Sequence, residues 1–271
     1  MNCRGRVIPL GERTLVMGIL NVTPDSFSDG GSYYNYGAAV LRAKQMVAEG
    51  ADIIDLGAES TRPGYRPVSE KEELERLLPV LQALLRETAV PVSIDTTKAA
   101  VAEQALSAGA HMINDQWALR ADPAMAGLAV AYQAPVVLMH NQDQPGYDDL
   151  IGDIITYFDE SLRLAMAAGI TRDQIIIDPG FGFGKNVEEN LELLRRLKEL
   201  TILDLPILIG VSRKSTIGKV LDLPVDQRLE GTAAAVAASI INGAGIVRVH
   251  DVKEMTRVAR MTDAIVRGWK M

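Results

Sequence analysis

The feature that most constrains this chain is an alternation. Short apolar runs rich in β-branched residues recur at 15–20, 53–56, 92–94, 112–113, 136–139, 175–177, 207–209 and 246–249. Amphipathic or Ala-rich stretches separate them, at 37–49, 70–87, 98–108, 122–132, 150–168, 187–200, 228–242 and 252–268. Strand and helix in strict turn argue for a parallel sheet, because parallel neighbours need a long crossover between them. Eight such repeats in about 250 residues match a single eight-stranded parallel β/α (TIM) barrel. A doubly wound open sheet is the alternative. No linker or low-complexity segment breaks residues 1–271, so one domain is expected.

A barrel carries its chemistry at the C-terminal ends of its strands. Those ends read Asn21, Asp55 with Gly57 through Arg62, Asp95-Thr96, Asn114-Asp115, His140, Asp178, Ser212-Arg213-Lys214 and Arg248-Val249-His250. Polar residues end strands and start turns for purely local reasons. That does not explain why two of the three histidines, His140 and His250, fall there. Asp95, Asn114 and Asp178 together suit a flat heterocycle bearing amino and ring N–H donors. Lys214 reaches a ring oxygen or nitrogen from the same pocket, and nearby carboxylates favour its charged form. A structural ion-pair network is the plain alternative.

Arg248 and His250 flank Val249 on one strand, so both point to one face. With Thr61 and Asn21 as neutral donors, they suit a phosphate group. Such a local site reconciles an anionic substrate with a net charge of −7, which disfavours a nucleic-acid surface. The polar segment 21–31 is read as a lid, and Asn21 as one oxygen for Mg²⁺. Segments 65–69 and 141–146 are read as mobile loops. The Ala-rich stretch 230–245 reads equally as a packed barrel helix or a dimer face.

Asp178 to Lys185 spells DPGFGFGK, which looks like a nucleotide loop. It fails both tests. Lys185 stands where G-x-G-x-x-G needs its third glycine, and Pro179 where a P-loop needs its first. Lys185 is therefore read as a solvated helix-start residue. His111 is read as structural, and His140 as structural or a ligand contact.

The lone Cys3 can form no internal disulfide, which fits a reducing compartment. No apolar run approaches the roughly 20 residues of a membrane span. The N-terminus lacks the pattern of a secretory signal. A soluble, cytoplasmic chain without nucleic-acid or membrane partners is expected.

In order along the chain, Asn21 to Gly31, Gly57-Ala58-Glu59-Ser60-Thr61-Arg62-Pro63-Gly64, Ser93-Ile94-Asp95-Thr96, Ile113-Asn114-Asp115, DPGFGFGK, Ser212-Arg213-Lys214-Ser215 and Arg248-Val249-His250-Asp251 resemble dihydropteroate synthases, the sulfonamide targets of folate synthesis. The resemblance implies a transferase. It joins para-aminobenzoate to 6-hydroxymethyl-7,8-dihydropterin diphosphate and releases diphosphate and 7,8-dihydropteroate. It implies that Asp95, Asn114, Asp178 and Lys214 hold the pterin, with Phe183 close to the ring. Asn21, Thr61, Arg248 and His250 would hold diphosphate with Mg²⁺.

Phe27, Asp29, Arg62 and Pro63 would complete the aminobenzoate site, with Ser215 at the carboxylate. Catalysis would fall to Lys214, Arg248, His250, Asp29 and Arg62, through loss of diphosphate from a stabilised pterin cation. A homodimer is implied. Two stretches, Gln116 to Leu119 and Asn141, depart from relatives; they are expected to touch no residue assigned to catalysis and to bear instead on the fit around the pterin or the order of a loop. A pterin-dependent methyltransferase would share the barrel but needs neither Arg248 and His250 nor segment 21–31. A catalytically dead barrel would lack an expected site group, and all are present.

Overall fold

The structure is a computed structural model that describes residues 1–22, 32–59 and 68–269, the side chains of 32–35 excepted. A short antiparallel hairpin comes first, β1 (Asn2–Cys3) and β2 (Arg6–Val7). The alternating part then runs β3 (Leu15–Asn21), α1 (Ser32–Glu49), β4 (Ile53–Gly57), α2 (Glu70–Glu87), β5 (Val92–Asp95), α3 (Ala99–Ala108), β6 (Met112–Asp115) and α4 (Ala124–Tyr132). It continues with β7 (Val136–Met139), α5 (Leu150–Ala168), β8 (Ile175–Asp178), α6 (Val187–Arg196), β9 (Leu208–Ile209), α7 (Ser215–Leu221), α8 (Leu229–Ile241), β10 (Ile246–Val249) and α9 (Val252–Arg267).

The eight strands β3 to β10 pair in parallel, in the order β8-β7-β6-β5-β4-β3-β10-β9. The two ends of this ladder meet. A parallel bridge joins Ile177 to Ile207, and Ile177 N–H donates to Pro206 O at 2.9 Å. The sheet is therefore a barrel, as the alternation required, and not an open doubly wound sheet.

Side-chain alternation divides the core in two. Val16, Ile54, Ile94, Ile113, Leu138, Ile177 and Val247 face outward and pack in the layer shared with the helices. Leu15, Met17, Ile53, Met112, Val137, Ile176, Leu208 and Ile246 face inward and fill the lower barrel. Cys3 and Ile8 join this inner cluster, so the N-terminal hairpin plugs the barrel floor. Two residues further along the same inward faces come Asp55, Asn114, Asp178 and Arg248. The apolar interior thus becomes polar within one pleat, at the end where the site lies.

Helices α2 and α5 have the bounds expected from the sequence. The stretch 187–200 does not continue as one helix. After α6 the chain tightens into a 3₁₀ segment, Leu197–Leu203. Leu197, Leu200 and Leu203 are all buried, and their spacing of three matches a helix with three residues per turn. The hairpin β1–β2 escaped the sequence reading, since strands of two residues carry no period. Among the described residues, no helix is long and apolar enough to cross a membrane.

Candidate active site

Strand register aligns Asn21 with Gly57, Gly57 with Asp95, and Asp95 with Asn114. These residues form one rank at the C-terminal rim. Gly57 keeps the rank open: a Cβ there would stand 3.3 Å from Asn21 Oδ1 and 3.4 Å from Asp95 Cβ. One pleat deeper, Asp55 is fully buried. Its Oδ2 accepts from Arg248 Nε at 2.6 Å and from Asn114 Nδ2 at 3.0 Å. A second guanidinium nitrogen of Arg248 donates to Asp95 Oδ2 at 2.6 Å, and Gln116 Nε2 donates to Asp95 Oδ1 at 2.7 Å.

Arg248 thus bridges two carboxylates. Burial acts to lower its pKa, but Asp55 and Asp95 more than offset this and hold it above the ordinary arginine value. Asp95 is pushed up to about 7, chiefly by burial, with Arg248 opposing.

The second half of the site stands on β8 and the turn before α7. Asp178 Oδ1 accepts from Gly180 N–H at 2.8 Å. Burial raises the Asp178 pKa, and the charge of Lys214 pulls it back. Lys214 caps α7 in extended conformation, and Nζ donates to Phe181 O while lying 4.2 Å from the centre of the Phe183 ring. Burial pushes Lys214 down to about 7, against the pull of Asp178.

Just before it, Arg213 takes a left-handed φ of 57° and is held by Asp251, with Nε to Oδ2 at 2.9 Å. His250 Nδ1 lies 3.0 Å from Ser212 Oγ, which also accepts His250 N–H at 3.1 Å. A cleft of about 110 Å³ opens beside these groups, lined by Glu59, Asp95, Thr96, Gln116, Trp117, Asn141 and Phe183 among others. Acceptors, paired cations and an aromatic ring around one cleft can hold a flat, hydrogen-bonding heterocycle.

The family model described as "Pterin binding enzyme" matches residues 17–250. A dihydropteroate synthase of Clostridium beijerinckii is 52% identical over 259 residues, 95% of this chain and 96% of that one. A dihydropteroate synthase of Clostridium difficile, solved in the presence of pteroic acid, superposes with a TM-score of 0.94 at 54% identity, covering 96% of this chain and 100% of that one. One from Xanthomonas albilineans, solved in complex with 7,8-dihydropteroate, superposes at 0.90 with 41% identity over 97% of each chain. This chain belongs to the dihydropteroate synthases. It is therefore a transferase with a pterin-binding barrel.

Asp95, Asn114 and Arg248 form one connected group; Asp178, Lys214 and Phe183 lie together in a second. Arg248 and Asp95 both act electrostatically on Lys214, so the two groups share one field. Ser215 is exposed at the first turn of α7. Phe27, Asp29, Thr61, Arg62 and Pro63 lie outside the described residues. His111 is structural, its Nδ1 accepting Val92 N–H at 3.1 Å, and burial pushes it down to about 4.

One expectation needs correction. Lys185 is not solvated: it is 8% exposed, and Nζ lies 2.9 Å from His140 Nδ1. The sequence hid this because a lysine at a helix start is ordinarily a surface residue. Among the departures, Gln116 meets Asp95, a residue assigned to the pterin and not to catalysis, through its amide. Trp117 and Asn141 line the same cleft. The sequence reading also gave Asp55 no role. A signal existed: it is an acid between Ile54 and Leu56 inside a buried strand.

Proposed function

We propose that this enzyme joins para-aminobenzoate to 6-hydroxymethyl-7,8-dihydropterin diphosphate. The supporting observation is the ring of Asp95, Asn114, Asp178 and Lys214 beside Phe183, with the bridging guanidinium of Arg248 next to it. The carboxylates accept from amino and ring N–H groups of the pterin. Lys214 donates to the ring. Arg248 and His250, with Asn21 and Thr61, take the diphosphate.

The carbon–oxygen bond to diphosphate breaks, and its electron pair leaves with that group. The dihydropterin ring stabilises the methylene cation, so no strong base is needed. The aminobenzoate nitrogen then bonds to the methylene carbon, and its surplus proton passes to solvent. Phe27, Asp29, Arg62, Pro63 and Ser215 serve the aminobenzoate side. Asp29 offsets the developing positive charge. The protein's main contributions are neutralising the leaving group and aligning a weak nucleophile.

A Mg²⁺ ion fits Asn21 only as an ion carried mainly by substrate. No cluster of three acidic, His or Cys ligands occurs among the described residues. Asn21 Oδ1 supplies one neutral oxygen over Gly57, and such an ion typically takes its remaining ligands from phosphate and water. When bound, it adds positive charge at the leaving group.

Residues 1–271 act as one unit, and the enzyme works as a cytoplasmic homodimer. Exposed Ile241, Met261 and Ile265 on the packed pair α8 and α9 support an apolar partner face. The test is diphosphate release from purified enzyme with pterin diphosphate and Mg²⁺. Release that depends on para-aminobenzoate and matches dihydropteroate formed is the expected result. Pterin binding without condensation would overturn the reading.

A further inference from the structure

Lys185 is a buried cation to which the reaction gives no role. Besides His140 Nδ1, its Nζ reaches Gly180 O at 3.2 Å and Phe183 O at 3.1 Å. Burying a lysine is costly unless its donors are satisfied, and here three acceptors meet it. Two of them are carbonyls of the loop that carries the pterin side of the site. Gly180 N–H holds Asp178, Phe181 O accepts from Lys214, and the Phe183 ring lies under Lys214.

That loop needs an external hold. It passes through positive φ at Gly180, Gly182 and Gly184, which leaves it without a helix or strand to fix its carbonyls. Other ties close around the same loop. Tyr147 Oη donates to Gly184 O at 2.9 Å, and Gly182 N–H donates to Asn190 Oδ1 at 2.6 Å. Asn190 Nδ2 donates in turn to Lys185 O at 3.1 Å. Behind Lys185, the His140 ring packs edge-on against Tyr157, with centroids 4.6 Å apart.

We propose that Lys185, backed by His140 and Tyr147, is a positioning residue for the pterin half of the reaction, holding the 180–184 loop so that Asp178 and Phe183 are set for the ring. The inference rests on the pterin reading above.

The cluster is also sensitive to pH. Burial lowers the Lys185 pKa to about 7; Asp178 and Glu189 oppose this and Lys214 reinforces it. His140 is pushed down to about 3, first by burial and then by Lys185, so it stays neutral and Nδ1 accepts. Tyr147 is raised above the usual phenol value by burial and stays protonated. Only Lys185 in this cluster changes charge near neutrality. Loss of its proton removes one donor from three acceptors.

The test compares wild type with Lys185→Met and Tyr147→Phe. It measures KM separately for pterin diphosphate and para-aminobenzoate by diphosphate release, direct binding of pteroic acid by fluorescence, and the melting temperature. Displacement of a positioned group by about 1 Å costs up to roughly 100-fold. Lys185→Met is therefore expected to raise the pterin KM and the pteroic acid Kd by about 10- to 100-fold, with the aminobenzoate KM unchanged.

Tyr147→Phe shifts the same two quantities in the same direction by less, and decides the matter if Lys185→Met does not fold. Lys214 titrates in every form, so the pH test reads the difference between forms. The wild-type pterin KM rises more between pH 6 and 9 than that of Lys185→Met. Unchanged pterin binding, or an equal change in both KM values, overturns the inference. An inactive wild type would instead count against the synthase reading.

Discussion

Arg248 Nε lies 2.6 Å from Asp55 Oδ2, an ion pair that reaches from β10 past β3 to β4. Asp55 is fully buried, and its Oδ1 has no partner among the described residues. Its negative charge is therefore committed to Arg248, with Asn114 as the other donor on Oδ2 among the described residues.

Asp55→Asn keeps the shape and removes the charge. Breaking a buried pair typically costs about 3–5 kcal/mol. Asp95 still holds Arg248 in the variant, so the lower end, about 3 kcal/mol, is expected in urea unfolding. The KM for pterin diphosphate should rise too, because Arg248 loses one of its two anchors. An unchanged urea midpoint would mean that Asp95 alone fixes the guanidinium.

Two glycines of the 180–184 loop should respond differently to alanine. Gly180 has φ +68°, and a Cβ there would lie 1.9 Å from His140 O, a backbone atom of β7's extension. Gly182 has φ +83°, but its Cβ would meet Lys214 Cδ at 2.7 Å, part of a flexible side chain. Gly180→Ala should disrupt folding, seen as loss of a cooperative melt. Gly182→Ala should fold with a left-handed penalty of about 1–2 kcal/mol and lose pterin affinity as Lys214 is displaced. Equal melting temperatures for the two variants would contradict this contrast.

Lys214 ties stability to pH. Its folded pKa, about 7, lies below the ordinary lysine value of 10.5. Between those values the unfolded chain binds more protons than the folded one, so stability rises with pH across that window. Below pH 7 both states are protonated and the penalty is fully present. The stability of wild type relative to Lys214→Met should therefore increase from pH 7 to pH 10, measured by urea unfolding at each pH. A flat difference would mean that the folded and unfolded pKa values coincide. Turnover by Lys214→Met should be strongly reduced throughout.

The barrel was legible because its cause is local and repeated. Every strand of the closed ladder begins or centres on an apolar run visible at 15–20, 53–56, 175–177 and their counterparts. The rim was legible for the same reason: Asp95, Asn114 and Asp178 end such runs, and Arg248 with His250 share a face by alternation. Partnerships across the barrel were not legible. Asp55 and Arg248 are separated by 193 positions, and nothing in either neighbourhood names the other. Lys185 failed for a related reason. Its burial is decided by His140 and Tyr147 on another βα unit, which the local sequence around DPGFGFGK does not contain.

A second ion cluster, with Glu73 buried and Lys98 and Glu59 half-buried, lies beside the cleft. Lys98 Nζ lies 2.6 Å from Glu73 Oε2 and 2.6 Å from Glu59 Oε2. Glu73 is fully buried, and its Oε1 has no partner among the described residues. Burial acts to lower the Lys98 pKa, but the two carboxylates more than offset it and hold the ammonium charged. Glu59 also accepts Val68 N–H at 2.9 Å, so the cluster fastens the chain after 60–67 to the residue just before it.

Lys98→Met would leave the Glu73 carboxylate buried without a counter-charge, at a cost of about 3–5 kcal/mol. Adding Glu73→Leu removes that orphaned charge and should recover most of the loss, because an apolar replacement for a buried pair is often neutral. A double-mutant cycle in urea isolates the coupling. Additive losses would mean that Glu73 is stabilised by its burial site and not by Lys98.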